Sequence, residues 1–278
     1  MPQEHMTFNE IDTYIKYDNL EEIEWESIKE IPSKVPFVIQ HGHTANHNFV
    51  KPIYDFFNEK GWPVVSFDWR GHGWSQKKLV KPYTLNDCVE DLYAVYNDFL
   101  LGKYGYEKFN LLGHSMGGFI SLKYALKYQN TLNKLIPLST SASIVGNFFT
   151  RMIMSIYIWY IEHNYNKMMQ KKKEGHKELG LDNFPHWTDT SLMPDPKATI
   201  EFLKDFRYYN IKSELHKINI PTLVCIGSED SFVSHAKVIA KKIPNAELRI
   251  MDGYVHNIPI DAKDKLSENL YRFLNQKK

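Results

Sequence analysis

Three side chains, Ser115, Asp230 and His256, are of the types that nucleophilic acyl transfer requires. Ser115 stands in Gly113-His114-Ser115-Met116-Gly117, after the apolar run Phe109-Asn110-Leu111-Leu112 and before an amphipathic stretch reaching about Gln129. A serine on a sharp strand-to-helix turn sits in strained backbone with its hydroxyl exposed, and flanking glycines let strand and helix close on it. The following helix N-terminus favours negative charge developing beside the serine. The hydroxyl needs a base, and the base needs a carboxylate to fix its tautomer. Reacting groups in open parallel sheets gather just past the strand ends, and likeness to known chains with such a serine turn implies that the acid and then the histidine follow the serine. Of the 12 histidines only His235 and His256 follow Asp230, and His235 opens a helix directly beside it. His256, at the end of the last apolar strand, is therefore read as the base. Glu229 and Asp252 are the alternative acids; Asp230, three residues past the turn Gly227, is the one placed to reach the last loop.

A tetrahedral intermediate also needs two preorganised N–H donors. The residue after the nucleophile, Met116, supplies one backbone N–H. The loop His41-Gly42-His43-Thr44 supplies the other, assigned to His43, with Gly42 letting the backbone turn inward. His41 is read as a loop histidine bonded to backbone. His41, His43 and His47 lack an acidic partner motif, so no metal site is assigned. In Asp68-Trp69-Arg70-Gly71-His72-Gly73, Asp68 and Arg70 are expected to pair and hold their loop, with left-handed backbone at the two glycines.

The elements that must position these groups alternate. Short apolar runs at 37–39, 63–67, 109–112, 134–138, 220–226 and 246–251 read as buried strands, and 49–59, 85–101, 116–129, 234–242 and 262–274 as helices. Two further short strands are predicted at 11–17 and 23–28 around the turn-like Asp18-Asn19-Leu20. Such alternation predicts an α/β chain with a mostly parallel sheet covered on both faces. It breaks at about Ser139 and resumes near Lys212, which divides the chain into a core of 1–139 and 213–278 and an inserted helical lobe of 140–212. In that lobe Phe148, Phe149, Met152, Ile153, Ile156 and Tyr160 recur at spacings of three and four. This stripe is expected to roof an acyl pocket, with Met152 and Met116 near the reacting carbon.

Composition narrows the remaining classes. A formal net charge of +1 gives no reason to expect a nucleic-acid partner or stable membrane insertion. Transient contact of the inserted lobe with a lipid surface stays open, since 144–161 is rich in apolar and aromatic residues but interrupted by Asn147 and Arg151. Two cysteines suit a reducing compartment, and Met1–Glu10 has no apolar leader, so a cytoplasmic location is expected.

Taken together, His41-Gly42, Asp68-x-Arg70-Gly71-His72-Gly73-x-Ser75, Gly113-His114-Ser115-Met116-Gly117-Gly118, Gly227-x-x-Asp230 and His256 resemble the α/β-hydrolase superfamily. The likeness is to its monoacylglycerol-lipase-like and carboxylesterase members with an inserted cap. Two departures are His43, where such proteins often carry an aromatic or aliphatic residue, and Val255, where glycine is frequent. The resemblance implies an eight-stranded, mostly parallel sheet, a helical cap, no cofactor, and a small ester as substrate. Carbon–carbon bond hydrolases, thioesterases and perhydrolases resemble the same pattern, as does a slow-turnover ligand receptor.

Overall fold

The computed structural model describes residues 3–20, 35–77, 83–144, 148–178 and 192–276. Eight strands form one sheet: β1 (Gln3–Phe8), β2 (Ile11–Asp18), β3 (Phe37–Gln40), β4 (Val64–Phe67), β5 (Phe109–His114), β6 (Leu132–Leu138), β7 (Thr222–Gly227) and β8 (Ala246–Met251). Their order is β1-β2-β4-β3-β5-β6-β7-β8. The pairs β1·β2 and β2·β4 are antiparallel, and the pairings from β4 through β8 are parallel.

Strand alternation builds two cores. Val38, Val65, Leu111, Leu135 and Val224 face α2 (Leu85–Ala94), α3 (Met116–Tyr128) and, further along the chain, Val233–Lys242. Phe37, Ile39, Val64, Leu112, Ile136 and Cys225 face α1 (Lys51–Glu59) and the C-terminal helix Lys263–Asn275. Central strands buried on both faces read as continuous apolar runs, which is why they are visible in the sequence. The buried ammonium of Lys134 donates to the carbonyls of Phe273 at 2.8 Å, Leu274 at 3.0 Å and Gln276 at 2.9 Å, and so caps the C-terminal helix.

Between β6 and β7 lie α4 (Phe148–Glu178) and α5 (Pro196–Phe206); Val233–Lys242 is α6 and Lys263–Asn275 is α7. The two ends of this excursion meet through the antiparallel bridge Ser143–Asn210 and the bond from Ile211 N–H to Ala142 O at 2.8 Å. Asp195 caps α5 with its side chain on Lys197 N–H and Ala198 N–H. Among the described residues no helix is long and apolar enough to cross a membrane.

Three expectations need adjustment. The strand at 11–17 is present as β2, but its hairpin partner is the upstream β1. Asn9 and Glu10, both at positive φ (48° and 64°), form the turn that twists the two strands together. The predicted strand 23–28 lies outside the described residues. The helix expected over 85–101 is α-helical to Ala94 and π-helical over Val95–Leu101.

Candidate active site

Between the last residue of β5 and the first of α3 stands Ser115 alone, at φ 53° and ψ −113°. That conformation costs a non-glycine residue free energy and persists only where neighbours over-determine it. Here they do. Ser115 N–H donates to Leu138 O at 2.9 Å, and Ser115 O accepts from Gly118 N–H at 2.9 Å and Thr140 Oγ1 at 2.8 Å. A Cβ on Gly113 would lie 2.1 Å from Gly117 O, and one on Gly117 would lie 2.6 Å from His41 O, so no side chain fits at either position.

Ser115 Oγ–H donates to His256 Nε2 at 3.0 Å, and His256 Nδ1–H donates to Asp230 Oδ2 at 2.9 Å. The second carboxylate oxygen, Asp230 Oδ1, accepts from Phe232 N–H at 2.9 Å. Asp230 is buried. Burial pushes its carboxyl up, but the hydrogen bonds from His256 and Phe232 outweigh that and hold it below the usual carboxylate range. The β7 and β8 loops are drawn together by Ser228 N–H to Met251 O at 2.9 Å and Glu229 N–H to Tyr254 O at 3.0 Å. The alternative acids lie elsewhere: Glu229 is exposed, and exposed Asp252 points to Ser228 Oγ at 3.5 Å. His235 bonds Ser141 Oγ at 2.6 Å, and His114 Nε2–H donates to His256 O at 3.0 Å, steadying the loop. Burial first, then the neighbouring His256, holds His114 down to about 3 and therefore neutral.

The loop after β3 comes against the serine. A Cβ on Gly42 would fall 3.0 Å from Ser115 Cβ, which permits close backbone approach at that residue. His43 and Met116 both line a cavity with Ser115 and His256. The His43 ring packs edge-on to Phe206 at 5.4 Å and donates from Nε2–H to Thr199 O at 3.0 Å, tying the loop to α5. His41 is fully buried, donates to Gly42 O at 2.8 Å and accepts from Trp69 N–H at 3.2 Å. Burial holds it down to about 4.

The expected Asp68–Arg70 pair does not form. Asp68 accepts from His47 N–H at 2.7 Å, His47 Nδ1–H at 2.8 Å and Trp74 N–H at 2.9 Å. Burial would raise its carboxyl, and His47 brings it net down to about 2. Arg70 instead makes a bidentate pair with Asp91 on α2, 2.6 Å at both contacts. Alternate residues of a loop point apart, and the fork reaches across to the helix. Asp91 was findable: it shares the apolar face of Cys88, Leu92 and Val95, where an unpaired carboxylate would be costly. Gly71 and Gly73 do adopt left-handed backbone, at φ 77° and 51°.

The cavity holds about 380 Å³ and is walled by Met116, Phe119, Ile144, Met154, Phe206 and Phe232, with Ser231 and His43. The stripe expected to roof it faces away: Phe148 is 75% exposed, Ile153 62% and Ile156 60%. The buried side of α4 is the opposite one, with Ile158 and Ile161 toward the body and Met154, not Met152, on the cavity. Helical spacing identifies a stripe but not the direction it faces, and both sides of α4 carry apolar residues. Ser231 and Phe232 could have been found from their position directly after Asp230.

The family model Hydrolase_4, described as "Serine aminopeptidase, S33", matches residues 32–263. A proline iminopeptidase of Saccharolobus solfataricus is 28% identical over 268 residues, covering 84% of this chain and 83% of that protein. A putative esterase/lipase of Mycoplasma genitalium is 26% identical, covering 83% and 85%. Among solved structures, an esterase from Exiguobacterium antarcticum shares the fold with a TM-score of 0.80 at 22% identity, covering 99% of this chain and 100% of that one.

Proposed function

The chain belongs to the Hydrolase_4 family (serine aminopeptidase, S33), a serine hydrolase of the α/β-hydrolase type, and from that premise we propose that it cleaves carboxylic esters of short-to-medium acyl chains, or monoacylglycerols, through an acyl-enzyme on Ser115. The observation that carries this reading is the line from Ser115 Oγ to His256 Nε2 to Asp230, opening on a small cavity with apolar walls. About 380 Å³ lies at the small end of ligand sites, which suits a short acyl chain. Excursion 140–212 acts as the cap, with Met154 and Phe206 closing the acyl site.

In this mechanism Ser115 Oγ attacks the ester carbonyl while His256 Nε2 takes its proton. Asp230 holds Nδ1–H and stabilises the imidazolium. The N–H groups of Met116 and His43 receive the oxyanion, the first from the free turn at the start of α3. His256 then returns the proton to the leaving alkoxide, and a water repeats the sequence to release the acid.

Amide cleavage is the second reading, favoured by the iminopeptidase relative. A protonated amino terminus calls for a counter-charge, and the described cavity walls carry no carboxylate. Turnover of p-nitrophenyl esters from acetate to octanoate, set beside proline p-nitroanilide and a vinylogous diketone, tests the assignment. Esters are expected to be turned over fastest, with an optimum between butyrate and octanoate. Faster anilide or diketone cleavage would replace the ester reading, and turnover below about one per minute on every substrate would favour a receptor.

A further inference from the structure

We infer that the outward face of α4 is a docking surface for an anionic phospholipid surface, an inference independent of which bond Ser115 cleaves. Phe148, Phe149, Ile153, Ile156, Trp159 and Tyr160 share this face at helical spacing, and each is about half exposed or more. A contiguous apolar patch of this kind on a folded chain marks an interaction site. Its partner is indicated by what surrounds it. The same face continues through His163, Asn166, Lys167 and Gln170, and the sequence then runs on as Lys171-Lys172-Lys173. Arg151 and Arg207 lie against the exposed Tyr208 ring at 5.9 Å and 5.3 Å, at the edge of the patch. Between Phe148 and Lys167 the sequence holds a single carboxylate, Glu162, which is already paired with Lys204 at 3.1 Å.

Phenylalanine and isoleucine for the acyl boundary, tryptophan and tyrosine for the headgroup level, and Lys167 for the phosphates make the pattern of a helix that lies in an interface. A second copy would bring Arg151 and Lys167 against their own counterparts, while the one acid between Phe148 and Lys167, Glu162, is engaged by Lys204. The helix is not apolar enough to span a membrane, so it lies along the surface. Met154, one residue from Ile153, lines the cavity from the other side of the same turns. Docking would therefore hold the cavity about one helix diameter, roughly 10–12 Å, from the lipid.

The test is flotation of the full chain with phosphatidylcholine vesicles, with and without phosphatidylglycerol. Wild type should float with the anionic vesicles. Phe149→Asp combined with Ile153→Asp should lower the bound-to-free ratio at least tenfold, because both side chains would enter the acyl boundary. Lys167→Glu should cost roughly fivefold or more on anionic vesicles alone. Both variants should keep wild-type circular dichroism and wild-type turnover of a soluble p-nitrophenyl ester, since their side chains point away from the cavity. Equal flotation of wild type and variants, or no flotation of any, overturns the inference. So does a wild-type dimer in sedimentation velocity that Phe149→Asp with Ile153→Asp dissolves, since the face would then belong to a second copy.

Discussion

Replacing Asp230 by asparagine puts the proposed division of labour under strain at one atom. In the native site Oδ1 accepts from Phe232 N–H at 2.9 Å and Oδ2 accepts from His256 Nδ1–H at 2.9 Å. Asparagine has one carbonyl oxygen. If it stays on Phe232, the amide NH2 faces His256 and selects the tautomer with Nδ1 bare and Nε2 protonated. That imidazole donates toward Ser115 and cannot accept its proton. If the amide turns the other way, His256 keeps its tautomer but Phe232 N–H meets an NH2 group and loses its acceptor. Either orientation also removes the negative charge that stabilises the imidazolium. A loss of roughly 10⁴ in kcat is expected, equivalent to about 5.4 kcal/mol of transition-state stabilisation. The assay is kcat and KM on a p-nitrophenyl ester, with circular dichroism and urea unfolding as the check on the fold. Asp252→Asn is the control, since exposed Asp252 accepts from Ser228 Oγ at 3.5 Å and, among the described residues, has no bond to His256. A loss under tenfold at Asp230 with intact structure, or a large loss at Asp252, would refute the reasoning.

Ser115→Ala should abolish ester turnover by a factor on the order of 10⁴ or more while the fold persists, and near-native rates in that variant would remove the nucleophile assignment. Met154→Trp should fill part of the cavity and move the acyl-chain optimum to shorter esters, at about 0.8 kcal/mol or roughly fourfold per methylene excluded. Met152→Trp, on the exposed face, should leave the series unchanged, and a shift there instead would return the stripe to the acyl site. Acid should destabilise the fold between pH 7 and 5. His41 and His114 are held neutral down to about 4 and about 3 by burial. The unfolded chain takes up those protons near 6.5, so stability is lost as pH falls below that value, about 2 kcal/mol per histidine by pH 5. The depressed Asp230 adds no loss in this window, because its contribution goes only as pH drops below about 3.9. Urea midpoints at pH 7 and 5 read the difference, and equal midpoints would show that the buried histidines do not carry it.

What the sequence made legible follows from what one-dimensional patterns encode. Strands buried on both faces leave runs such as Phe37-Val38-Ile39 and Leu223-Val224-Cys225-Ile226, and the glycines at 113 and 117 are needed because backbone oxygens occupy the space of a Cβ. Chain order then separates His256 from the other histidines, and the structure brings it to Ser115 and Asp230. Edge strand β1 stayed hidden because Gln3 to Thr7 alternate between exposed and half-buried before the buried Phe8, so it lacks an apolar run. The Arg70–Asp91 pair stayed hidden because a loop guanidinium chooses a partner by reach across space, and spacing along the chain suggested Asp68. The direction of α4 is the instructive case. Its apolar residues cover more than one side, so periodicity could not decide between a roof and an outer surface. The decision comes from tertiary contacts: Ser155 meets Arg207, Glu162 meets Lys204, and Ile158 and Ile161 are buried, which fixes the rotation of the helix and leaves Phe148, Ile153 and Ile156 outward. One residue step, about 100° of rotation, thus separates a residue that bounds the cavity, Met154, from one that meets solvent, Ile153, and both proposed roles of the helix depend on that angle.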